Sequence, residues 1–134
     1  MNLEVSIIIP DRIFWKDDVK EIILPTLSGQ MGVLKGHIPL LTGLDIGLVL
    51  VRTASQLNWI SIVVTGGFAL INNDKITILV NEAELGSTIK FDEAESSFLA
   101  SKLKLENVAN EREKLEANAQ FKKARARFMR FKIC

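Results

Sequence analysis

The stretch S-G-Q-M-G-V-L-K-G-H-I-P-L-L-T-G-L-D-I-G, residues Ser28 to Gly47, organises the rest of the chain. It holds five of the eight glycines and the only histidine of this 134-residue sequence. Glycine at this density favours repeated turns and positive φ angles, and Pro39 biases Ile38 towards an extended conformation. We therefore expect a compact irregular loop that is pinned to a core and carries function. Its apolar side chains are predicted to be buried: Met31, Val33, Leu34, Ile38, Leu40 and Leu41.

A phosphate-binding loop is the alternative for this stretch, because Gly29, Gly32 and Gly36 could clear space for an anion. Their spacing fits neither G-x-G-x-x-G nor G-x-x-x-x-G-K-[ST], and His37-Ile38-Pro39 is a poor start for a helix. The stretch therefore does not predict a nucleotide site.

Catalysis and metal binding are not predicted either. The sequence contains no second histidine to accompany His37 and no visible Ser or Cys nucleophile arrangement. Two roles remain for His37: a hydrogen bond to the backbone, or a place at a protein interface. The carboxylates are scattered over predicted turns and helix faces, where we expect them to be solvated. The sequence thus suggests no catalytic residue, no metal and no cofactor.

Short strands flank the central stretch. Alternation at Leu3, Val5, Ile7 and Ile9 is typical of a half-buried strand. Ile46 to Val51 is apolar on both faces, which indicates a strand buried between two layers. Trp59 to Thr65 is predicted to turn at Gly66-Gly67 into a further strand, Phe68 to Ile71. Strands punctuated by turns at this spacing predict a β-sandwich or flattened barrel of about eight to ten strands.

The pattern becomes helical after Gly86, because every glycine and proline lies at or before that residue. Asp92 and Glu95 resemble a capping box at the start of one helix, and the run Asn107 to Asn110 is the expected break before a second. That helix presents a narrow apolar seam, typical of helix pairing: Ala117, Phe121, Ala124, Phe128 and Phe131. The predicted class is α+β, with a β-sandwich at 1–87 and an antiparallel two-helix hairpin at 88–134.

Charge differs between the two parts. Residues 1–90 carry a net charge of −2 and residues 91–134 carry +3. No apolar run approaches the ~18–20 residues of a membrane span, and no targeting segment is visible after Met1. The single cysteine, Cys134, excludes a disulfide within the chain, and we expect a bystander thiol.

Six basic side chains and no acid lie within residues 121–132: Lys122, Lys123, Arg125, Arg127, Arg130 and Lys132. At 100° per residue, Lys123, Arg127 and Arg130 share one face, distinct from the phenylalanine seam. The face could be solvated, bind nucleic acid, or dock on an acidic protein surface. A pI near 7.8 and the use of Phe121 and Phe128 in the seam argue against nucleic acid.

Several segments together resemble one family. The run G-Q-M-G-V-L-K-G-H-I-P-L-L-T, followed by D-I-G, is similar to the signature of the epsilon subunit of F-type ATP synthases. The similarity continues in V-K-E-I-I-L-P-T (Val19 to Thr26), in G-G-F-A-L-I-N-N-D-K-I-T-I-L-V-N-E-A-E (Gly66 to Glu84) and in E-A-N-A-Q-F-K-K-A-R-A-R (Glu116 to Arg127). It spans nearly the whole chain in order, and the chloroplast and cyanobacterial branch is the most similar.

The resemblance implies a non-catalytic rotor subunit of a proton-translocating ATP synthase. The sandwich would bind the gamma subunit and rest on the membrane proteolipid ring through Gln30, Met31 and His37. The hairpin would fold down on the sandwich or extend along the stalk. When extended, its basic helix would meet acidic segments of the catalytic beta subunits and block ATP hydrolysis, through Lys122, Lys123, Arg125, Arg127 and Arg130.

The resemblance also implies a location and a departure from some relatives. The chain would sit on the stromal side of the chloroplast thylakoid membrane, attached only through the complex, with a cyanobacterial thylakoid or bacterial plasma membrane as alternatives. Some bacterial relatives bind ATP through I/L-D-x-x-R-A, and here Glu95 stands where the arginine would be, which argues against ATP sensing. The alternative function is a β-sandwich adaptor whose hairpin binds an unrelated protein.

Overall fold

The computed structural model describes residues 2–53 and 58–133; Cys134, the predicted bystander thiol, lies outside this range. Within it the chain forms seven strands, a short 3-10 turn at Gly86–Thr88 and two helices. The strands are β1 Leu3–Ile9, β2 Arg12–Thr26, β3 Gly29–Leu34, β4 Leu40–Thr53, β5 Ile60–Asn72, β6 Lys75–Val80 and β7 Ala83–Leu85, and the helices are α1 Phe91–Glu106 and α2 Glu111–Ile133.

The strands form one sheet that closes on itself. Its order is β1-β6-β5-β4-β2-β3, β1 also pairs with β2, and β7 pairs with β5. β2 reaches β1 through its first half and β3 through its second half, so the long strands bend from one layer into the other. The flattened barrel and the two C-terminal helices confirm the predicted α+β class.

The predicted eight to ten strands exceed the seven in the described residues. Gly66 and Gly67 do not end a strand; with φ of 88° and 149° they bend β5, which continues from Ile60 to Asn72. These φ angles favour glycine. A bend of this kind changes the direction of a strand, while the strand stays hydrogen-bonded to its neighbours before and after the bend. The sequence pattern alone did not distinguish this bend from a turn.

The central stretch is mostly strand rather than irregular loop. It contains β3, a turn at residues 35–39 and the first part of β4. Gly43 and Gly47 are extended and make room for neighbours, since a Cβ would lie 2.8 Å from Leu27 Cδ1 and 2.9 Å from Pro25 Cβ respectively. The predicted burial is correct for Val33 and wrong for three exposed side chains: Leu34 and Leu41, which the pleat turns outward, and Ile38, which lies in the turn between β3 and β4.

The second half of β4 is buried on both faces, as predicted for the segment from Ile46 to Val51. Val49 and Val51 belong to the main core inside the barrel. Leu48 and Leu50 point to the opposite face and belong to a second cluster with Ala126 of α2. Successive side chains of a strand alternate between faces, so a continuous apolar run is what a strand between two layers requires.

The helices break where the asparagines predicted. α1 ends at Glu106, and the Asn110 side chain accepts a hydrogen bond from the Glu113 amide at 2.9 Å, which caps α2. The predicted capping box is wrong. α1 begins at Phe91, two residues earlier than an N-cap at Asp92 would require. Its N-cap is Lys90, which makes no side-chain bond, and Asp92 lies inside the first turn. There its charge is still favourable to the helix dipole.

Replacing Gly67 by alanine should destabilise the sandwich by at least about 2 kcal/mol, because strained backbone and a steric clash combine there. A Cβ would overlap the carbonyl oxygen of Leu79, at a φ that disfavours side chains. Thermal and urea unfolding of the isolated chain measure the loss. Gly32→Ala is the matched control, since its Cβ would meet nothing within 4 Å; equal stability of the two variants would contradict the steric argument.

Candidate functional site

The hairpin is folded down on the sandwich. α2 lies against β4 and β5, and two small residues, Ala94 of α1 and Ala126 of α2, let the helices approach Leu50 and Val63 closely. Small side chains at such contacts allow close packing of helix on sheet. The hairpin therefore shares a buried apolar cluster with the sandwich.

The predicted seam joins the two helices through stacked rings. The Phe98 ring of α1 lies with its centroid 5.6 Å from that of Phe121 and 5.1 Å from that of Phe128. Phe91 contacts Phe128 and Phe131 in the same row. Aromatic pairs at these distances contribute about 0.5–1.5 kcal/mol each beyond their area. The seam thus explains how the helices pair, and it leaves the basic face free for other contacts.

That basic face is occupied by carboxylates of the same chain, and Arg127 is its centre. Arg127 Nε donates to Glu84 Oε1 at 2.8 Å and Nη2 donates to Glu84 Oε2 at 3.3 Å. Nη1 lies 2.9 Å from Glu93 Oε1, and the Arg127 side chain is only 13% exposed. Such two-pronged pairing fixes geometry as well as charge. Arg127 therefore ties α2 to both β7 and α1.

The pKa shifts at this pair agree in sign. Hydrogen bonds to Glu84 and Glu93 raise the pKa of Arg127, and the bond and charge of Arg127 lower the pKa of Glu93 from its ordinary 4.5. A lowered carboxyl pKa stabilises the folded form above the ordinary value, and that stabilisation is lost as the pH falls through the lowered one. The Glu93 contribution is thus complete near neutral pH.

Three further basic residues of α2 bind the sandwich. Lys122 Nζ lies 3.2 Å from Asp45 Oδ2, and Lys123 Nζ lies 3.3 Å from Glu82 Oε2. Arg130 Nε donates to the carbonyl oxygen of Gly86 at 2.7 Å. Gly86 is buried, and a Cβ there would overlap Ser61 Oγ and lie 2.8 Å from Arg130 Cγ. The hydrogen bond from Arg130 to this backbone carbonyl therefore requires glycine at residue 86.

Arg125 differs from its neighbours. It is exposed, and within the described residues it has no ion pair; its guanidinium carbon lies 5.5 Å from the centroid of the Phe121 ring. Of the five basic residues predicted to act together, four donate to an acidic side chain or a backbone carbonyl of the sandwich. Arg125 lines a cleft beside Gln30 and Asp45 without such a bond in the described residues.

The sequence interpretation missed the acidic partners, since Asp45, Glu82, Glu84 and Glu93 were expected to be solvated. The excess of acid before residue 90 and of base after it was the available indication. These pairs join residues 34 to 77 positions apart, so no local pattern reveals them.

A cavity of about 550 Å³ lies between hairpin and sandwich. Three carboxylates, Glu82, Glu84 and Glu93, and two cations, Lys123 and Arg127, line it together with Ser97 and Gln120. The two cations are already paired with these carboxylates, so the cavity offers an anionic ligand no excess of positive charge.

Gln30, Met31 and His37 do not form one cluster. Gln30 is exposed next to the β2–β3 turn, while the Met31 side chain packs against the main core on the other face of β3. His37 follows the opposite end of β3, and its Nδ1 lies 2.7 Å from the carbonyl oxygen of Ile38. At about 3.3 Å per residue, β3 alone separates its ends by roughly 16 Å.

An exposed apolar face covers the outer side of β4, β5 and β6. Leu41 is paired with Leu70, and Phe68 is paired with Leu79. These four side chains are 47–65% exposed. Leu27 extends the row, because its side chain lies where a Cβ of Gly43 would be. A continuous patch of large apolar side chains on a sheet is typical of a protein interface.

Comparison with known proteins identifies the fold and the family. Residues 2–86 match a family model described as the ATP synthase delta/epsilon chain β-sandwich domain. The chain is 62% identical to the chloroplastic ATP synthase epsilon chain of Euglena gracilis, over 96% of this chain and 95% of that one. It is 54% identical to the corresponding protein of Chlorella vulgaris, over 96% and 94%.

Solved structures share the architecture. A chain in the Euglena gracilis mitochondrial ATP synthase superposes with a TM-score of 0.81 at 20% identity, over 93% of this chain and 78% of that one. A chain in the central stalk and c-ring structure of the Tetrahymena thermophila mitochondrial ATP synthase superposes with a TM-score of 0.67 at 17% identity, over 95% of this chain and 94% of that one. In the described part of the chain no helix is long and apolar enough to cross a membrane.

The β-sandwich with its C-terminal helical hairpin thus defines an ATP synthase delta/epsilon-type subunit. The near full-length identity is more specific: the chain belongs to the family of ATP synthase epsilon chains, which are non-catalytic subunits.

Proposed function

We propose that this chain is the central-stalk subunit of a chloroplast proton-transporting ATP synthase, where it couples ring rotation to ATP synthesis and restrains ATP hydrolysis. The observation that carries the proposal is the exposed apolar face of Leu41, Phe68, Leu70 and Leu79 on a chain whose relatives are chloroplastic epsilon chains. A rotor subunit must be bound tightly enough to turn with the stalk. The chain would be peripheral to the thylakoid membrane on its stromal side.

The gamma subunit is the proposed occupant of the apolar face. Four large apolar side chains in two adjacent cross-strand pairs offer a flat hydrophobic centre, and interfaces of lasting complexes have such a centre with a polar rim. Because this face lies on the sheet and the hairpin covers another, gamma can stay bound while the hairpin moves.

The hairpin is the proposed inhibitory element. Its ion pairs with the sandwich lie at the surface, where the Lys123–Glu82 pair is exposed and the pairs of Lys122 and Arg127 are partly buried. Ion pairs that water can reach contribute only about 0–1 kcal/mol each. The basic face can therefore leave the sandwich and meet acidic segments of the beta subunits through Lys122, Lys123, Arg125, Arg127 and Arg130.

Adding the purified chain to a chloroplast ATP synthase depleted of its epsilon subunit tests the function. We expect inhibition of ATP hydrolysis and restoration of proton-driven ATP synthesis in vesicles. Binding without either effect would contradict the proposed role and favour an adaptor.

The proposed contact with the proteolipid ring can be tested separately at Gln30 and at His37, which lie at opposite ends of β3. Gln30→Ala should leave stability unchanged, because the side chain is exposed, and should raise proton leak about twofold by weakening the ring contact. His37→Ala shows whether the ring surface extends to the far end of β3. Arg12→Ala, at the exposed β1–β2 turn, is the control. Unchanged leak and synthesis in both variants would remove the predicted ring contact.

A further inference from the structure

We infer that Asp74, in the turn between β5 and β6, is a positioning residue for the turn between β3 and β4 that carries His37. The Asp74 side chain holds the peptide group before Gly36 in one orientation, and this orientation sets where His37 and Ile38 lie. The geometry is carried by the described contacts of Asp74. Its consequence for coupling rests on the proposed function, through the contact of His37 with the proteolipid ring.

The two turns lie side by side at one end of the barrel. β4 begins with Leu40 paired to Ile71 of β5, so the residues before Leu40 and those after Ile71 lie at the same end of the sheet. There Asp74 Oδ1 accepts a hydrogen bond from the Gly36 amide at 2.7 Å, across 38 positions of sequence. Asp74 is partly buried, whereas the residues on either side of it are exposed. Its side chain thus faces the β3–β4 turn.

The peptide group that Asp74 holds is the central one of a tight turn. The His37 amide donates to the carbonyl oxygen of Leu34 at 3.2 Å and closes a four-residue turn. Gly36, the third residue of this turn, has a φ of 86°, which is close to the value of a type II turn. Types I and II differ by a reversal of the peptide group between the second and third residues. The closing bond leaves the Gly36 amide unused, so Asp74 supplies the partner that favours the type II orientation.

The residues after Gly36 are restricted locally. His37 is partly buried, and its Nδ1 lies 2.7 Å from the carbonyl oxygen of Ile38. Pro39 biases Ile38 towards an extended conformation, and the Ile38 side chain is 73% exposed. The direction in which this short segment leaves the turn therefore depends on the orientation of the Gly36 peptide group, which Asp74 controls.

The β5–β6 turn does not itself need the Asp74 side chain. Asn73 and Asp74 have φ angles of 51° and 61°, and glycine is the residue that such a turn favours most at the second of these positions. The Asp74 backbone is also held from β1, because its carbonyl oxygen accepts a hydrogen bond from the Glu4 amide at 2.9 Å. The carboxylate is therefore presented from a fixed backbone, and its hydrogen bond within the described residues goes to the neighbouring turn.

The structural test removes the acceptor without straining the turn that carries it. Asp74→Gly does so, because glycine suits a φ of 61°, while Asp74→Asn keeps an oxygen acceptor. In nuclear magnetic resonance of the isolated full-length chain, the Gly36 amide should exchange at least about tenfold faster in Asp74→Gly than in Asp74→Asn. Its proton resonance should also move upfield, because the hydrogen bond to an oxygen acceptor is lost. Asn73→Gly is the matched control: Asn73 has a positive φ in the same turn, and its side chain makes no hydrogen bond within the described residues.

The functional test asks whether Asp74 acts through His37. In the intact complex, Asp74→Gly should raise proton leak by about twofold, as much as His37→Ala, because a displaced turn loses the same contact. The double variant should leak no more than His37→Ala alone, since residues that act through one contact are not additive. Asp74→Asn and Asn73→Gly should leak like the unchanged chain. A merely structural role would instead lower the melting temperature and add to the effect of His37→Ala.

The two readouts separate the positioning role from the proposed function. A changed Gly36 amide together with a leak equal to that of His37→Ala supports both. A changed amide with no added leak in either variant supports the positioning role and removes the ring contact of His37. A Gly36 amide that stays as it is in Asn73→Gly overturns the positioning role, whatever the leak. Added leak in His37→Ala alone, despite a changed amide, overturns the claim that the ring contact depends on the orientation that Asp74 sets.

Discussion

A chain in which Phe68 and Leu70 are both replaced by glutamate should lose at least ~100-fold in affinity for the stalk while its sandwich stays folded. Both side chains lie on the exposed face of β5, at 58% and 47% exposure, so the isolated fold does not need them. Burying a large apolar side chain contributes about 1.5–3 kcal/mol, and an unpaired carboxylate in the same place is costly. The loss of binding free energy from two such changes exceeds the roughly 2.7 kcal/mol that corresponds to a 100-fold loss of affinity.

The measurement is binding of the variant to a complex depleted of epsilon, with thermal unfolding of the isolated chain as the check on folding. Leu99→Glu with Leu103→Glu is the matched control, because these side chains of α1 are similarly apolar and 53% and 60% exposed. The control should bind normally. Full affinity in the Phe68 and Leu70 variant would mean that the stalk binds another surface.

A chain ending at Ser87 should lose more than nine-tenths of the inhibition of ATP hydrolysis, because it lacks every residue of the basic helix. It should still join the complex through the apolar face on the outer side of β5. The structure adds a consequence that composition did not predict. Removing the hairpin uncovers Leu48, Leu50 and Val63, which are now buried beneath it.

We therefore expect the truncated chain to self-associate when isolated, which sedimentation velocity would detect. Adding Leu48→Ser and Leu50→Ser to the truncated chain should restore a monomer, since the core-facing Val49 and Val51 remain. Two separable units, 1–87 and 88–134, remain a proposal that this pair of proteins tests. Undiminished inhibition by the truncated chain would contradict it.

Reversing the charge of Lys123, Arg127 and Arg130 cannot by itself separate inhibition from docking. Three glutamates would face Glu82, Glu84 and the carbonyl oxygen of Gly86, so the hairpin would be repelled from the sandwich as well as from an acidic partner. Neutralising the carboxylates of the sandwich keeps the two contacts apart. This distinction arises from the contacts of α2 with the sandwich, which the sequence pattern did not show.

The sequence by itself determined the features that depend on local periodicity. Alternation in β1, a continuous apolar run in β4 and the phenylalanine spacing in α2 each predicted which faces are buried, and the structure confirms them. The asparagines before α2 located the break, because their side chains cap a helix better than they extend one. The family resemblance rested on motifs spread along the chain, and the comparisons confirm it.

Only the tertiary structure decided how glycines are used and which charges meet. Gly66 and Gly67 bend a continuous strand. Gly43 and Gly47 instead leave space for the side chains of Leu27 and Pro25. From the sequence alone, each of these glycines is also consistent with a turn. Leu41 is exposed because it lies at the start of β4, whereas the hairpin covers Leu48 and Leu50 further along the strand. Lys122 pairs with Asp45, 77 positions away in the sequence. Folding brings such distant segments together, and the sequence around a charged residue does not indicate which opposite charge it will meet.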